Sequence, residues 1–396
     1  LLSNAKFPVI LSGAGVVLAD AIEDCKKIAE RLDAPVACGY QHNDSFPGKH
    51  PLAVGPLGYN GSKAAMEIIS KADVVLALGT RLNPFSTLPG YGIDYWPKEA
   101  KIIQVDINSD RIGLAKKVSV GICGDAKLVA QQILDQLSST AGDAGREDRK
   151  ALIHQTKSAW LQTLTSLDHE EDDEGTSWNK DSRERDPDRM SPRMAWRAIQ
   201  AGLPEEAIIS SDIGNNCAIG NAYPTFEKGR KYLAPGLFGP CGYGFPSVLG
   251  AKIGCPDTPV VGFSGDGAFG ISMSEMTSCN REEWPNITMV IFRNYQWGAE
   301  KRNTTLWYDN NFIGTELDPK LSYAKIAEAC GFKGVKVTTQ SELTEALKTS
   351  CVEQMNGITT FIEVILNQEL GEPFRRDAMK APVEVAGIDS KDTVVQ

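Results

Sequence analysis

The stretch Thr258–Gly270, TPVVGFSGDGAFG, decides how this chain is read. Its apolar run, Val260–Phe263, is too short for a helix and lacks the alternation of a half-solvated strand. It therefore reads as a strand buried on both faces. Asp266 follows at the strand end, and Gly267 opens a helix. A lone Gly-Asp-Gly is most often a surface turn. Here the next buried run, ITMVIFRN, ends in Asn294, 28 positions further on (266 to 294). A strand–helix–strand crossover needs about that length to return beside its start, which places Asp266 and Asn294 at neighbouring strand ends.

The same texture extends in both directions. FPVILSG (7–13), ADVVLALG (72–79), AKIIQVDI (100–107) and VSVGICGD (118–125) alternate with helical stretches such as Ala19–Leu32. After residue 190 come EAIISSDIG (206–214), TPVVGFSG (258–265), ITMVIFRN (287–294) and ITTFIEVIL (358–366), with helices expected after CGYGFP, GDGAFG and TELDPKLSY. Continuous apolar strands interleaved with helices predict an α/β fold of two doubly wound parallel-sheet domains. The expected division is a Rossmann-like, nucleotide-binding-like domain over 1–137, a helical and acidic linker over 138–189, a second domain over 190–367, and a tail over 368–396. Residues 168–189 carry ten acids and four bases and too little apolar surface to fold alone. The tail is read as lying across a neighbour's surface.

A formal charge of −10 argues against nucleic-acid or anionic-membrane partners. No apolar run reaches the ~20 residues of a membrane span. The nine cysteines form no CxxC pair and imply reduced thiols in a cytoplasm. The chain opens without Met, close to its first strand, and is read as a piece of something longer.

A helix N-terminus favours a phosphate, yet the Asp266 carboxylate beside it repels one; a divalent cation bridging both removes the conflict. Asp266, the Asn294 amide oxygen and the main-chain carbonyl of Gln296 make a Mg2+ set around a diphosphate. In the first domain, Gly13-Ala14-Gly15 permits either a phosphate approach or merely a tight turn, since Val17 occupies the third glycine's place in the GxGxxG pattern. Arg81 and Asp106 lie at strand ends, where open sheets bind nucleotides. His42 is read as a solvated or hydrogen-bonded loop histidine.

This constellation resembles the thiamine diphosphate enzymes, whose cofactor signature is Gly-Asp-Gly, 26 residues and an Asn; here it runs over Gly265, Asp266, Gly267, Ala268 and onward to Asn294. The resemblance implies thiamine diphosphate and Mg2+ as cofactors, with Asp266, Asn294 and the Gln296 carbonyl on the metal. It implies diphosphate contacts from Ile213, Gly214, Asn215 and Asn216. FGPCGYGFPSVLGAK would run under the aminopyrimidine, with the Gly239 carbonyl and the Cys241 N–H bonding to it. The Cys241 side chain stands where relatives carry Met, Leu or Ile, as a reactive thiol or, the reading preferred on its chemistry, a small apolar wedge. One departure is Arg293-Asn294 where many members have Asn-Asn.

Four longer stretches (38–52, 55–66, 79–97 and 294–317) resemble the sulfoacetaldehyde acetyltransferases within that family. That likeness implies conversion of sulfoacetaldehyde and phosphate to acetyl phosphate and sulfite, in taurine and sulfonate breakdown. It also implies a homodimer or homotetramer with the site between subunits. Both substrates are anions, for which Lys301, Arg302, Arg375 and Arg376 are the basic candidates. The family's activating glutamate belongs to an N-terminal pyrimidine-binding domain with no counterpart among these residues, so the chain alone is expected to be inactive. The alternatives are an acetolactate synthase-like carboligase or 2-oxo acid decarboxylase of the same family, and a non-catalytic nucleotide- or diphosphate-binding module.

Overall fold

The computed structural model describes residues 1–137, 146–166, 185–236 and 238–370. The chain divides into two compact units, one comprising Leu1–Leu164 with Thr225–Arg230, the other the described residues of Thr165–Pro224 and Lys231–Pro373. Each holds one parallel six-stranded sheet.

In the first unit the strands are β1 (Pro8–Ser12), β2 (Val36–Cys38), β3 (Ala53–Pro56), β4 (Val74–Leu78), β5 (Lys101–Asp106) and β6 (Val120–Cys123), in the order β3-β2-β1-β4-β5-β6. The order reverses between β1 and β4, where an open sheet offers a ligand crevice. Two glycine turns meet at this point. A Cβ on Gly13 would lie 2.6 Å from the Gly79 carbonyl oxygen, and one on Gly15 2.6 Å from Gly79 Cα. The Gly15 N–H donates to the Gly79 carbonyl at 2.8 Å. The glycines serve close packing of two turns. Arg81 and Asp106 do stand at the ends of adjacent strands β4 and β5. Burial, with Arg81 nearby, pushes the half-buried His42 down to about 4, so that imidazole is neutral. The expected helix over 19–32 runs unbroken from Ile22 to Leu32; a separate short helix, Ala14–Leu18, precedes it, with Asp20 at φ 56° between them.

The helix Arg146–Ser166, read from sequence as part of the connecting segment, packs on this first unit. Arg149, almost wholly buried, ties it down by donating to the carbonyls of Lys6 (2.8 Å) and Leu32 (2.9 Å). Most of the acidic run, residues 168–184, lies outside the described residues, as does the tail beyond residue 370.

The second unit contains β7 (Ile208–Ser211), β8 (Tyr232–Leu233), β9 (Val260–Gly265), β10 (Thr288–Arg293), β11 (Lys333–Val337) and β12 (Thr360–Ile365), ordered β11-β12-β10-β9-β7-β8. β7, β10 and β12 are buried along their whole length, and β9 up to Gly265. Trp196 packs on Phe263 and Phe292, with ring centroids 5.0 and 5.5 Å away. Phe245, Phe269 and Phe361 fill the core on another side. At the start of β9, buried Gln354 reaches in from the helix Gln340–Met355: its Oε1 accepts from Val260 N (2.8 Å), and its Nε2 donates to Val260 O (2.8 Å) and Thr288 Oγ1 (3.0 Å). The strand order reverses between β7 and β9, and the register Ser211↔Phe263 and Gly265↔Phe292 brings the ends of β7, β9 and β10 level. Loops from all three meet there.

Candidate functional site

One cavity opens at these strand ends, lined by Ile213–Cys217, Cys241, Gly265–Ala268, Asn294 and Gln296–Glu300. Every cofactor-contacting residue read from the sequence lines it except Gly239. That residue takes φ 70°, which favours glycine, and stands beside the Ile213 side chain.

Asp266 is buried and its two oxygens do different work. Oδ2 pairs with Arg293 Nη1 at 3.0 Å and accepts from the Tyr295 N–H at 2.7 Å. Oδ1 accepts from the Gly267 N–H at 2.9 Å, so that donor is used within the turn and not turned on a ligand. Burial pushes the Asp266 carboxyl up to about 6, against the opposing pull of Arg293 and the two N–H groups.

Asn294 lies where the crossover predicts. Its NH2 donates to Asp266 Oδ1 and to the Gln296 carbonyl, each at 3.3 Å, and its oxygen accepts from Asn216 Nδ2 at 3.3 Å. Rotating the amide by 180° would bring its oxygen to the Asp266 and Gln296 oxygens instead. The oxygen-inward orientation is the one a divalent cation stabilises, since six-coordinate Mg2+ with oxygens at about 2.1 Å holds adjacent ligands roughly 3 Å apart. Among the described residues no three His, Cys, Asp or Glu side chains form a metal cluster. The donor set here is one carboxylate and two neutral oxygens, which suits a hard cation that shares its sphere with phosphate.

Room for that phosphate is present. Gly214, at φ 131°, and Gly265 have nothing within 4 Å of where a Cβ would project. Gly267 is constrained differently: a Cβ there would lie 2.8 Å from the Trp297 indole, which walls the cavity. Asn215 Nδ2 donates to the carbonyls of Gly298 (3.0 Å) and Leu370 (2.8 Å), joining the β7 loop to the turn after β10. The residues present fit a cation–diphosphate pair.

Asp212 is the organiser that sequence reading missed. From the end of β7 it accepts from Ile213 N (2.8 Å), Gly242 N (3.0 Å), Gly244 N (2.9 Å) and Ser264 Oγ (3.0 Å). One carboxylate so binds the DIGNN loop, the CGYG turn and β9. The only sequence signal was an acid at a strand end. Cys241 is exposed at the rim, yet partial desolvation and the charges of Asp212 and Glu300 push its thiol up, so the sulfur stays protonated. Trp297 and Glu300 also line the cavity without having been singled out.

The basic candidates separate. Lys301 is buried, its ammonium held by Gln296 Oε1 (3.1 Å) and the Glu316 carboxylate. Arg302 is half-buried on the same helix, Gly298–Trp307. Neither lines the cavity. Arg375 and Arg376 lie outside the described residues.

Comparison with known proteins follows the same division. Residues 1–133 match the thiamine pyrophosphate enzyme central domain, and residues 212–364 match the thiamine pyrophosphate enzyme C-terminal TPP binding domain. The whole chain is 78% identical, over 67% of the relative's length, to a probable sulfoacetaldehyde acetyltransferase of Rhizobium meliloti. Over 99% of its length it is 74% identical to a sulfoacetaldehyde acetyltransferase of Roseovarius nubinhibens, covering 65% of that protein. The chain thus spans about two thirds of the curated relatives it matches. Among solved structures, the thiamine diphosphate-dependent 4-hydroxybenzoylformate decarboxylase of Rhodococcus jostii superposes with a TM-score of 0.69 at 22% identity. That match covers 93% of this chain and 63% of the other, and it shows the shared fold.

Proposed function

This chain belongs to the thiamine pyrophosphate enzymes, which work with that cofactor and Mg2+, and we propose that it is part of a sulfoacetaldehyde acetyltransferase. The reaction is sulfoacetaldehyde and phosphate to acetyl phosphate and sulfite. The observation that carries the cofactor half of this reading is the meeting of the Asp266 carboxylate, the Asn294 side-chain amide and the Gln296 carbonyl, the amide 3.3 Å from each of the other two, beside the open faces of Gly214 and Gly265. The choice of substrate is supported by the 78% identity over the whole chain.

Bound in this cavity, thiamine diphosphate supplies the electron sink for the chemistry at the substrate carbonyl. The protein supplies position and charge. Asp266, Asn294 and Gln296 would hold the cation, and the Ile213–Asn216 loop and Gly265–Ala268 would surround the diphosphate. The Gly239 carbonyl and the Cys241 N–H would flank the aminopyrimidine, with the protonated Cys241 side chain as an apolar wedge. Asp212 keeps both loops in register, and Trp297 closes one wall against water. Recognition of sulfonate and phosphate would fall to basic side chains, for which Lys301, Arg302, Arg375 and Arg376 are the candidates. We place the protein in a cytoplasm as a homodimer or homotetramer, in keeping with nine free cysteines.

The test is a sulfite-release assay on the intact protein with thiamine diphosphate, Mg2+ and phosphate. Phosphate-dependent sulfite and acetyl phosphate are expected. Release of CO2 from pyruvate without sulfite from sulfoacetaldehyde would assign the protein to another branch of the family. Asp266→Ala is expected to abolish Mg2+-dependent cofactor binding, and unchanged affinity by calorimetry would sink the metal assignment.

A further inference from the structure

We propose that Arg293 fixes Asp266 as a one-oxygen ligand and so sets the site's preference for a small divalent cation, a positioning role that rests on the metal reading above. Arg293 stands where many thiamine diphosphate enzymes carry an asparagine, so the family pattern gives it no task. Its side chain is fully buried, and both Nη groups of the guanidinium are hydrogen-bonded, while Nε faces a carboxylate beyond hydrogen-bond distance. Nη1 meets Asp266 Oδ2 at 3.0 Å. Nη2 donates to the carbonyls of Asp318 and, at 3.2 Å, Leu321. Nε lies 3.9 Å from Glu363 Oε1, itself on a buried carboxylate. The planar group also packs against the rings of Tyr295 and Tyr323, at 4.3 and 5.4 Å from their centroids.

A guanidinium held by both Nη groups and packed between two tyrosine rings has little room to follow a moving carboxylate; the carboxylate takes its orientation from the fork. With Arg293 and the Tyr295 N–H both on Oδ2, only Oδ1 remains turned toward Asn294 and Gln296. Single-oxygen ligation suits Mg2+, which demands a tight octahedron at about 2.0–2.1 Å. Ca2+ takes six to eight oxygens at about 2.3–2.6 Å and often claims both oxygens of a carboxylate. Arg293 denies it the second one. Lysine at this position would keep the charge and lose the fork.

Thiamine diphosphate binding to the intact protein is measured by calorimetry with Mg2+ or Ca2+ as the sole divalent cation, for the wild type, Arg293→Gln and Arg293→Lys. The ratio of Ca2+-supported to Mg2+-supported affinity is expected to rise about tenfold or more in R293Q, and less in R293K. An unchanged ratio, with both affinities falling together, would overturn the proposal and leave Arg293 an ion pair that only supports the fold. Should R293Q fail to give a cooperative melt, R293K carries the test, and an unchanged ratio there overturns it equally. Wild-type binding undiminished by a chelator would instead remove the metal reading, and this proposal with it.

Discussion

Gln354→Met isolates a pair of hydrogen bonds that hold the start of β9. Methionine nearly matches glutamine in shape, so packing in the buried pocket is retained while both polar partners vanish. The Val260 N–H and C=O, each bonded to Gln354 at 2.8 Å, are left without that partner inside the core. Stranding a buried backbone group costs about 1–3 kcal/mol, so the two together cost about 2–6 kcal/mol. The Thr288 hydroxyl also loses a donor at 3.0 Å, but it can turn to another acceptor and adds little. For a domain of this size, each kcal/mol lowers the melting midpoint by about 2–4 °C. Calorimetric melting of the cofactor-free protein should therefore show the second unit's transition falling by about 4–24 °C. Cofactor affinity should stay within about twofold, because Gln354 acts at the opposite end of β9 from Asp266 and distant sites are nearly additive. A midpoint within 1–2 °C of wild type would refute the reasoning, since it would mean that Val260 finds other partners at no cost.

Two glycines predict opposite outcomes. Gly250→Ala, on the exposed face of the helix Gly244–Gly254 with nothing within 4 Å of its Cβ, should stabilise by about 0.5–1 kcal/mol in urea titration. Gly267→Ala should push the Trp297 indole, 2.8 Å from the new Cβ, and weaken thiamine diphosphate binding by about tenfold. Because its thiol is pushed up, Cys241 should react with iodoacetamide more slowly than a free cysteine at pH 7, and faster only as pH rises past the ordinary thiol range. Cys241→Leu should keep cofactor binding; fast alkylation at pH 7, or lost binding in the leucine variant, would remove the wedge assignment.

What the sequence revealed follows from where apolar runs are continuous. β1, β4, β9, β10 and β12, each five or six residues long, announce themselves because both faces of a parallel sheet are dry. β2, β3 and β8 span only two to four residues, too few for a pattern to emerge. β11, at the sheet edge, carries the exposed Lys333 and Lys336 and reads as polar chain. At the site, Asp266, Asn294 and Gln296 were legible because one crossover length relates them. Asp212 was not: its donors come from positions up to 52 residues away, and only the folded sheet brings them to one carboxylate. The pairing of Lys301 was hidden for a related reason: its ammonium meets Glu316, 15 positions further on, and only the fold brings that later loop to it.

The interlocked turns of the first unit bear on how this protein can change over time. Gly13, Gly15 and Gly79 each occupy the space another's side chain would need; a Cβ on Gly79 would itself lie 2.7 Å from Gly15 Cα. Elsewhere in a core, an enlarged residue can be rescued by shrinking its neighbour. Within this trio every partner is already the smallest residue there is, so no exchange of size among the three is possible. Relief for a larger residue at Gly13 could come in part from Thr80, whose Cβ lies 2.6 Å from where the new one would stand, but Gly15 and Gly79 meet only backbone atoms. Those two positions resist drift and directed evolution alike.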